Sequence, residues 1–207
     1  MSLDAYHHIA RAPAAGAPLV FTFHGTGGDE HQFPGLIRQI LPDAGIVSPR
    51  GDVSEGGANR FFRRTGEGIY DMDDLAARTQ TMAGFIRAHR QAHAGAPVYG
   101  LGYSNGANIL ASVILGAPDL FDRVVLMHPL ISWAPAPNPA LRSLDVLITA
   151  GRNDPICPLS QTNALTDHLM DQGARVDLRL HDGGHEIRQT ERDAVADFLK
   201  QPARRRV

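Results

Sequence analysis

The stretch Val98-Tyr99-Gly100-Leu101-Gly102-Tyr103-Ser104-Asn105-Gly106-Ala107 decides the fold. Its first six residues are a strand-sized run that stops at Ser104. From Ala107 to Leu115 the chain is apolar nearly all round, as a buried helix is, and Gly116-Ala117-Pro118 stops it. Between strand and helix lies Gly102-x-Ser104-x-Gly106, a G-x-S-x-G pattern. A sharp strand-to-helix turn pushes such a serine toward strained φ/ψ, and flanking glycines let neighbouring backbone pass closely. The hydroxyl should then stand at the carboxyl edge of a sheet. The Asn105 amide, at the positive end of the helix, should face the same space and suit an oxyanion. The plainer reading of Ser104 is a helix cap.

Outward from this motif the chain alternates strand-sized runs with helical patterns. The runs are Leu19 to Phe23, Ile46 to Ser48, Val124 to Met127, Val146 to Ala150 and Val176 to Leu180, with a weaker one around Tyr6 to Ala10. Asp71 can cap a long helix whose Leu75, Met82, Phe85 and Ile86 share a face and which fades before Gly95-Ala96-Pro97. Leu159 to Gln172 reads as a helix closed by Gly173. Ile187, Ala194, Val195, Phe198 and Leu199 form the apolar face of another. This alternation predicts an α/β fold, a mostly parallel sheet of about seven strands with helices on both faces. The run from Arg175 alternates Arg, Asp and Arg with Val, Leu and Leu, so it reads as an edge strand with a polar face on which His181 continues.

A serine hydroxyl is a weak nucleophile at neutral pH. It needs an imidazole to take its proton and a carboxylate to orient that imidazole. On such a sheet these partners follow the serine, acid before histidine, in loops at the same edge. Asp154, in Gly151-Arg152-Asn153-Asp154-Pro155, and His185, in Asp182-Gly183-Gly184-His185, meet that requirement. Asp182 is the rival acid, but a short loop rarely folds its own carboxylate onto a ring three residues away. His181 is the rival base. Asp145 begins its strand and belongs to the opposite edge. The loop His24-Gly25-Thr26-Gly27-Gly28 follows the first strong strand and offers the Thr26 amide as a second oxyanion donor, with His24 as a turn-packing residue. A phosphate loop is the competing reading, but the Walker pattern is absent and the only lysine is Lys200. His128 ends a central strand and reads either as a pocket residue or as a packed one.

Composition narrows the partners. The 207 residues carry 20 basic and 22 acidic side chains, a net charge of -2, which gives no electrostatic case for nucleic acid or an anionic membrane. A lone Cys157 forbids an internal disulfide and a Cys-rich zinc site, and no His/Cys/Asp cluster has ligand spacing. No metal or other cofactor is therefore expected. No apolar run reaches membrane-spanning length and no basic n-region precedes an apolar one, so a cytoplasmic protein without membrane insertion is expected. Residues 1–207 read as one domain with a basic tail at 201–207, and a homodimer stays open.

Phe23-His24-Gly25-Thr26-Gly27-Gly28, Leu101-Gly102-Tyr103-Ser104-Asn105-Gly106-Ala107, Ala150-Gly151-Arg152-Asn153-Asp154-Pro155 and Gly183-Gly184-His185 stand in register. Together they resemble the phospholipase/carboxylesterase group of the α/β-hydrolase superfamily, which includes acyl-protein thioesterases, and within it the small bacterial carboxylesterases. The resemblance implies Ser104 as nucleophile, Asp154 as acid, His185 as base, and Thr26 and Asn105 as oxyanion donors. It implies hydrolysis of a small-molecule carboxylic ester through an acyl-enzyme, with acyl thioesterase, lysophospholipase or peptidase chemistry as alternatives and a non-catalytic binding protein as a third class. Asn105-Gly106-Ala107 and His128-Pro129 depart from the better-known thioesterase members, so depalmitoylation is not carried over. In similar esterases the region around Asn59-Arg60-Phe61-Phe62-Arg63-Arg64 borders the site. Arg60 and Phe61 are therefore pocket candidates, the arginines either attracting anions or paired internally. The Pro-rich segment before Val146, with Trp133 as a further pocket candidate, is too short for a large lid. A shallow, open site for short or medium acyl chains is expected.

Overall fold

In a computed structural model that describes residues 2–66 and 68–202, the elements run in chain order as follows. The N-terminal part holds β1 (His8–Arg11), β2 (Leu19–Phe23), α1 (Pro34–Ile40) and β3 (Gly45–Pro49). Four short strands follow: β4 (Val53–Glu55), β5 (Ala58–Arg60), β6 (Arg64–Gly66) and β7 (Ile69–Tyr70). Then come α2 (Met72–Ala92), β8 (Val98–Tyr103), α3 (Asn105–Gly116), β9 (Arg123–Met127) and β10 (Asp145–Gly151). The chain closes with α4 (Leu159–Asp171), β11 (Arg175–His181) and α5 (Gln189–Lys200). The basic residues 204–206 lie outside the described residues.

Seven strands form one sheet in the order β1-β3-β2-β8-β9-β10-β11. Every pairing is parallel except β1 with β3, which is antiparallel. Successive side chains of a strand face opposite ways, and the core divides accordingly. Leu19, Phe21 and Phe23 join α2, α3 and α4 on one side, while Val20, Leu101 and Val125 meet α1 and α5 on the other. With both faces covered, β2, β3 and β9 are buried at every residue. β11 lies at the edge, as its alternation predicts.

Asp71 caps α2, its carboxylate accepting from the Asp74 amide at 3.1 Å. Two features escape the sequence reading. α1 is only seven residues long and opens on Pro34-Gly35, which hides its apolar Ile37 and Ile40. The segment between β3 and α2 carries no strand-sized run, yet it folds into two hairpins, β4–β5 and β6–β7. Gly56 and Gly57 both take positive φ at the first turn, the backbone a two-residue hairpin needs. Between β9 and β10 no helical lid is inserted, only a 3-10 segment at Pro139–Ser143. Among the described residues no helix is long and apolar enough to cross a membrane.

Candidate active site

Ser104 stands alone between β8 and α3 with φ 52° and ψ -118°, a conformation that L-residues rarely adopt. Its neighbours impose it. The Ser104 amide donates to Met127 O at 2.9 Å, and its carbonyl accepts from the Asn108 amide at 2.9 Å. A Cβ on Gly102 would lie 2.5 Å from Gly106 O, and one on Gly106 would strike the carbonyls of Phe23 and His24. Both glycines are therefore required by close backbone approach.

Three loops at the carboxyl edge of the sheet bring the other expected residues to this serine. His185 Nε2 lies 2.9 Å from Ser104 Oγ, and His185 Nδ1 lies 2.7 Å from Asp154 Oδ2. Asp154 is buried; its Oδ1 accepts from the amides of Ile156 at 2.8 Å and Cys157 at 2.9 Å. The Asp154 and His185 loops are laced together by Asn153 N donating to Gly183 O at 2.9 Å and Arg152 N to His181 O at 2.8 Å. Tyr103 OH donates to His185 O at 2.7 Å, which fixes the histidine from β8, the strand that leads to Ser104. The rival acid Asp182 points to solvent, its side chain 88% exposed beside Arg152. Asp145 sits at the far end of β10 between Arg123 and Arg175.

A cleft of about 350 Å³ opens over Ser104 and His185 and is bordered by Thr26, Arg60, Tyr70 and Asn108. The Thr26 loop is tightly held: Gly25 N donates to Gln32 Oε1 at 2.9 Å and Gly27 N to Asn59 O at 3.0 Å. His24 Nε2 accepts from Gly51 N at 2.9 Å, so its proton is on Nδ1, 2.7 Å from Gly25 O; it organises the turn. Asn105 N belongs to the first turn of α3, whose amides have no intrahelical acceptor. Its side chain turns the other way and accepts from Phe61 N at 2.8 Å.

Three of the expected pocket residues lie elsewhere. Phe61 is buried against Phe23 and His24, with ring centroids at 5.7 and 4.6 Å, because β5 leads it into the core. Trp133 packs edge-on against Tyr70 at 6.1 Å, outside the cleft lining. His128 is fully buried beneath Asp154. Arg60 does line the cleft, but it is largely committed: Nη1 donates to Thr26 Oγ1 at 2.7 Å and Nε lies 3.1 Å from Glu55 Oε2. Arg64 pairs with the same glutamate at 2.9 Å.

Sequence reasoning passed over the cleft floor. Asn108 Nδ2 donates to Tyr70 OH at 2.8 Å, Tyr70 OH donates to Leu130 O at 2.8 Å, and Leu130 N donates to Asn108 Oδ1 at 2.7 Å. This closed triangle stiffens the base of the site. The signal was present, since Asn108 is a buried amide in a mostly apolar helix.

Over 185 residues, 88% of the chain and 92% of the relative, the sequence is 37% identical to the Bacillus subtilis protein MhqD, named only as a hydrolase. The Bacillus cereus carboxylesterase superimposes with TM-score 0.87 at 31% identity, covering 95% of this chain and 94% of that one. The chain belongs to the phospholipase/carboxylesterase family of α/β-hydrolases. Atu2452 of Agrobacterium tumefaciens, a protein of unknown function, matches it at 57% identity with TM-score 0.92, over 96% of this chain and 98% of that one. No family model matches the sequence.

Behind the site of this family member lies a buried ionisable cluster. His128 Nδ1 lies 2.8 Å from Asp154 Oδ2, the oxygen that also faces His185. Its Nε2 lies 3.1 Å from Glu191 Oε1, and Glu191 Oε2 lies 3.0 Å from His181 Nε2. These two contacts to Glu191 are close but bent away from ideal N–H direction. His181 is thus turned under α5, its side chain 8% exposed, instead of continuing the solvated face of β11, because Glu191 draws it inward. Burial works against charge on Asp154, but the Cys157 amide, the two histidine rings and the Ile156 amide outweigh it and hold the carboxyl below its usual range. Burial likewise lowers His128, yet Glu191 and Asp154 together raise it above an ordinary histidine.

The fold therefore assembles two groups with metal-ligand geometry that spacing in sequence did not reveal: His128, His181 and Glu191, and His128, Asp154 and His185. In the first, His181 Nδ1 accepts from Gly183 N at 3.0 Å, so the neutral ring carries its proton on Nε2, the atom a metal would need. In the second, both histidines face one carboxylate oxygen, an arrangement of N–H donors around an acceptor. Neither group fits a metal as it stands.

Proposed function

We propose that this protein is a serine carboxylic-ester hydrolase acting on small esters of short to medium acyl chain. The observation that carries the reading is the continuous contact from Ser104 Oγ through His185 to Asp154, at 2.9 and 2.7 Å. His185 Nε2 takes the Ser104 proton as Oγ attacks the acyl carbonyl, and Asp154 holds the ring tautomer with its proton on Nδ1 and stabilises the imidazolium. The Thr26 and Asn105 amides face the oxyanion at the edge of the cleft. Collapse returns the proton from His185 to the departing alcohol and leaves an acyl-Ser104 ester. Water, deprotonated by the same nitrogen, attacks that ester and releases the acid.

The size of the cleft and the absence of a lid insertion between β9 and β10 support compact substrates. Turnover of p-nitrophenyl esters from acetate to decanoate tests both parts. It should peak at a short or medium chain, and Ser104→Ala should lower kcat by about 10⁶. Equal turnover by the wild type and Ser104→Ala would end the proposal.

A further inference from the structure

We propose that His128 is held as an imidazolium between Asp154 and Glu191, and that this buried pair is the positioning unit of the base. It pins Asp154 Oδ2 against His185 and offsets part of the carboxylate's charge, so that His185 is freed of its proton at lower pH than a bare aspartate would allow. The inference rests on the triad reading above.

The contacts and charges around the two carboxylates lead to it. Asp154 has its four acceptor positions occupied: Oδ1 by the Ile156 and Cys157 amides, Oδ2 by His185 Nδ1 and His128 Nδ1. Both nitrogens of His128 face carboxylates, Asp154 at 2.8 Å and Glu191 at 3.1 Å. A neutral imidazole would turn a lone pair toward one of them; the cation turns none, donating Nδ1–H to Asp154 and meeting Glu191 through Nε2 as an ion pair and not as a directed hydrogen bond. Glu191 is itself ringed by donors. Its Oε2 accepts from Arg188 N at 2.8 Å and faces the protonated Nε2 of His181 at 3.0 Å. With side chains 0 to 3% exposed, His128, Asp154 and Glu191 have no water to substitute for these partners.

The other groups around His128 leave this charge pattern intact. Tyr103 packs edge-on at 5.8 Å, and burial pushes its hydroxyl up to about 12. Cys157 Sγ donates to His128 O at 3.2 Å, and burial pushes that thiol up as well. Both are neutral over the working range. The rings of His181 and His185 stand 5.5 and 5.1 Å away. A cation so close to Asp154 weakens the field that would otherwise hold a proton on His185.

The first measurement is the ¹⁵N chemical shifts of the His128 ring in the wild-type protein at pH 8. Two protonated nitrogens are expected, and a neutral tautomer there overturns the proposal. In Glu191→Gln the same ring should become neutral at that pH. The second measurement is kcat/KM against pH. In His128→Asn, which keeps a donor near Asp154 but not the charge, the acid limb should move up by about one pH unit. In His128→Asn/Glu191→Gln, with both charges gone, it should return most of the way. A folded single variant with an unmoved limb, or a double variant as displaced as the single, refutes the idea. An active Ser104→Ala would instead indict the triad reading, which the ring shifts do not depend on. If His128→Asn fails to fold, the ring shifts of the wild type and Glu191→Gln still decide.

Discussion

All four acceptor positions of Asp154 are taken: two backbone amides and two imidazoles converge on one buried carboxylate. Asp182, three residues from His185, is spent on solvent and Arg152. Under the proposed mechanism Asp154→Asn should lower kcat by about three to four orders of magnitude, since an amide favours the wrong tautomer and cannot stabilise the cation. Asp182→Asn should cost less than about tenfold. Measuring kcat/KM for both on one ester decides between the two carboxylates. At this scale sequence carried far where position alone matters. Ser104, Asp154 and His185 each follow the carboxyl end of a parallel strand, and that end is legible from runs of β-formers. It carried less far where partners come from distant elements. Glu191 reads as an ordinary first-turn acid of the last helix; only the fold lays that turn against His128. His128 was legible as a strand-end residue, but which way its ring faces depends on α5, and no spacing encodes that.

The turn from β8 to α3 has little slack. Gly106 lies against the carbonyls of Phe23 and His24, so the helix touches the neighbouring strand where it begins. Gly106→Ala should therefore lower stability by about 1–3 kcal/mol through overpacking and displace Ser104 from His185. Chemical denaturation together with turnover on one ester would show both losses; a variant as stable and active as wild type contradicts the close approach. Elements whose residues are nearly all apolar, such as β2, β8 and β9, were readable because burial on both faces leaves few polar interruptions. The hairpins β4–β5 and β6–β7 were not. Their strands are two or three residues long, too short for a period to emerge. Yet they deliver Arg60 to Thr26, so part of the cleft wall depends on elements with almost no signature of their own.

Across the whole molecule, two buried charged side chains tie sequence-distant parts together. On one side of the sheet the buried Arg123 donates to Gln201 O and Pro202 O at 2.6 Å each, anchoring the end of α5, the helix that carries Glu191. Elsewhere Glu30, 3% exposed, takes Nε and Nη2 of Arg50 at 2.6 Å each and lies 3.1 Å from His7. The Arg50 bonds hold its carboxyl at about 2. Because the folded value lies below the unfolded one, this stabilisation is present above about pH 4.5 and is lost as pH falls toward 2. Glu30→Gln should lower stability by about 2 kcal/mol at pH 7, discounted for the half-open Arg50, and the difference should vanish near pH 2. Urea midpoints of the two proteins across that range are the check, and a gap that persists at pH 2 would refute the assignment.

The chain's lone thiol offers a clock. Cys157 is 1% exposed; its amide holds Asp154 and its sulfur reaches the His128 carbonyl. A thiol reagent can meet that sulfur only while the turn after β10 is open, so labelling of the native protein counts openings of the site's floor, not collisions with its surface. Addition of a disulfide reagent should give slow, single-rate modification of the native protein and rapid modification in urea. Phosphonylation of Ser104 by a fluorophosphonate, with loss of fluoride, should slow the native rate further, because a filled cleft opens less often. Immediate stoichiometric labelling of the native protein would mean that the floor is already open. With one thiol and no competitor, an ordinary absorbance trace becomes a record of how often this site comes apart.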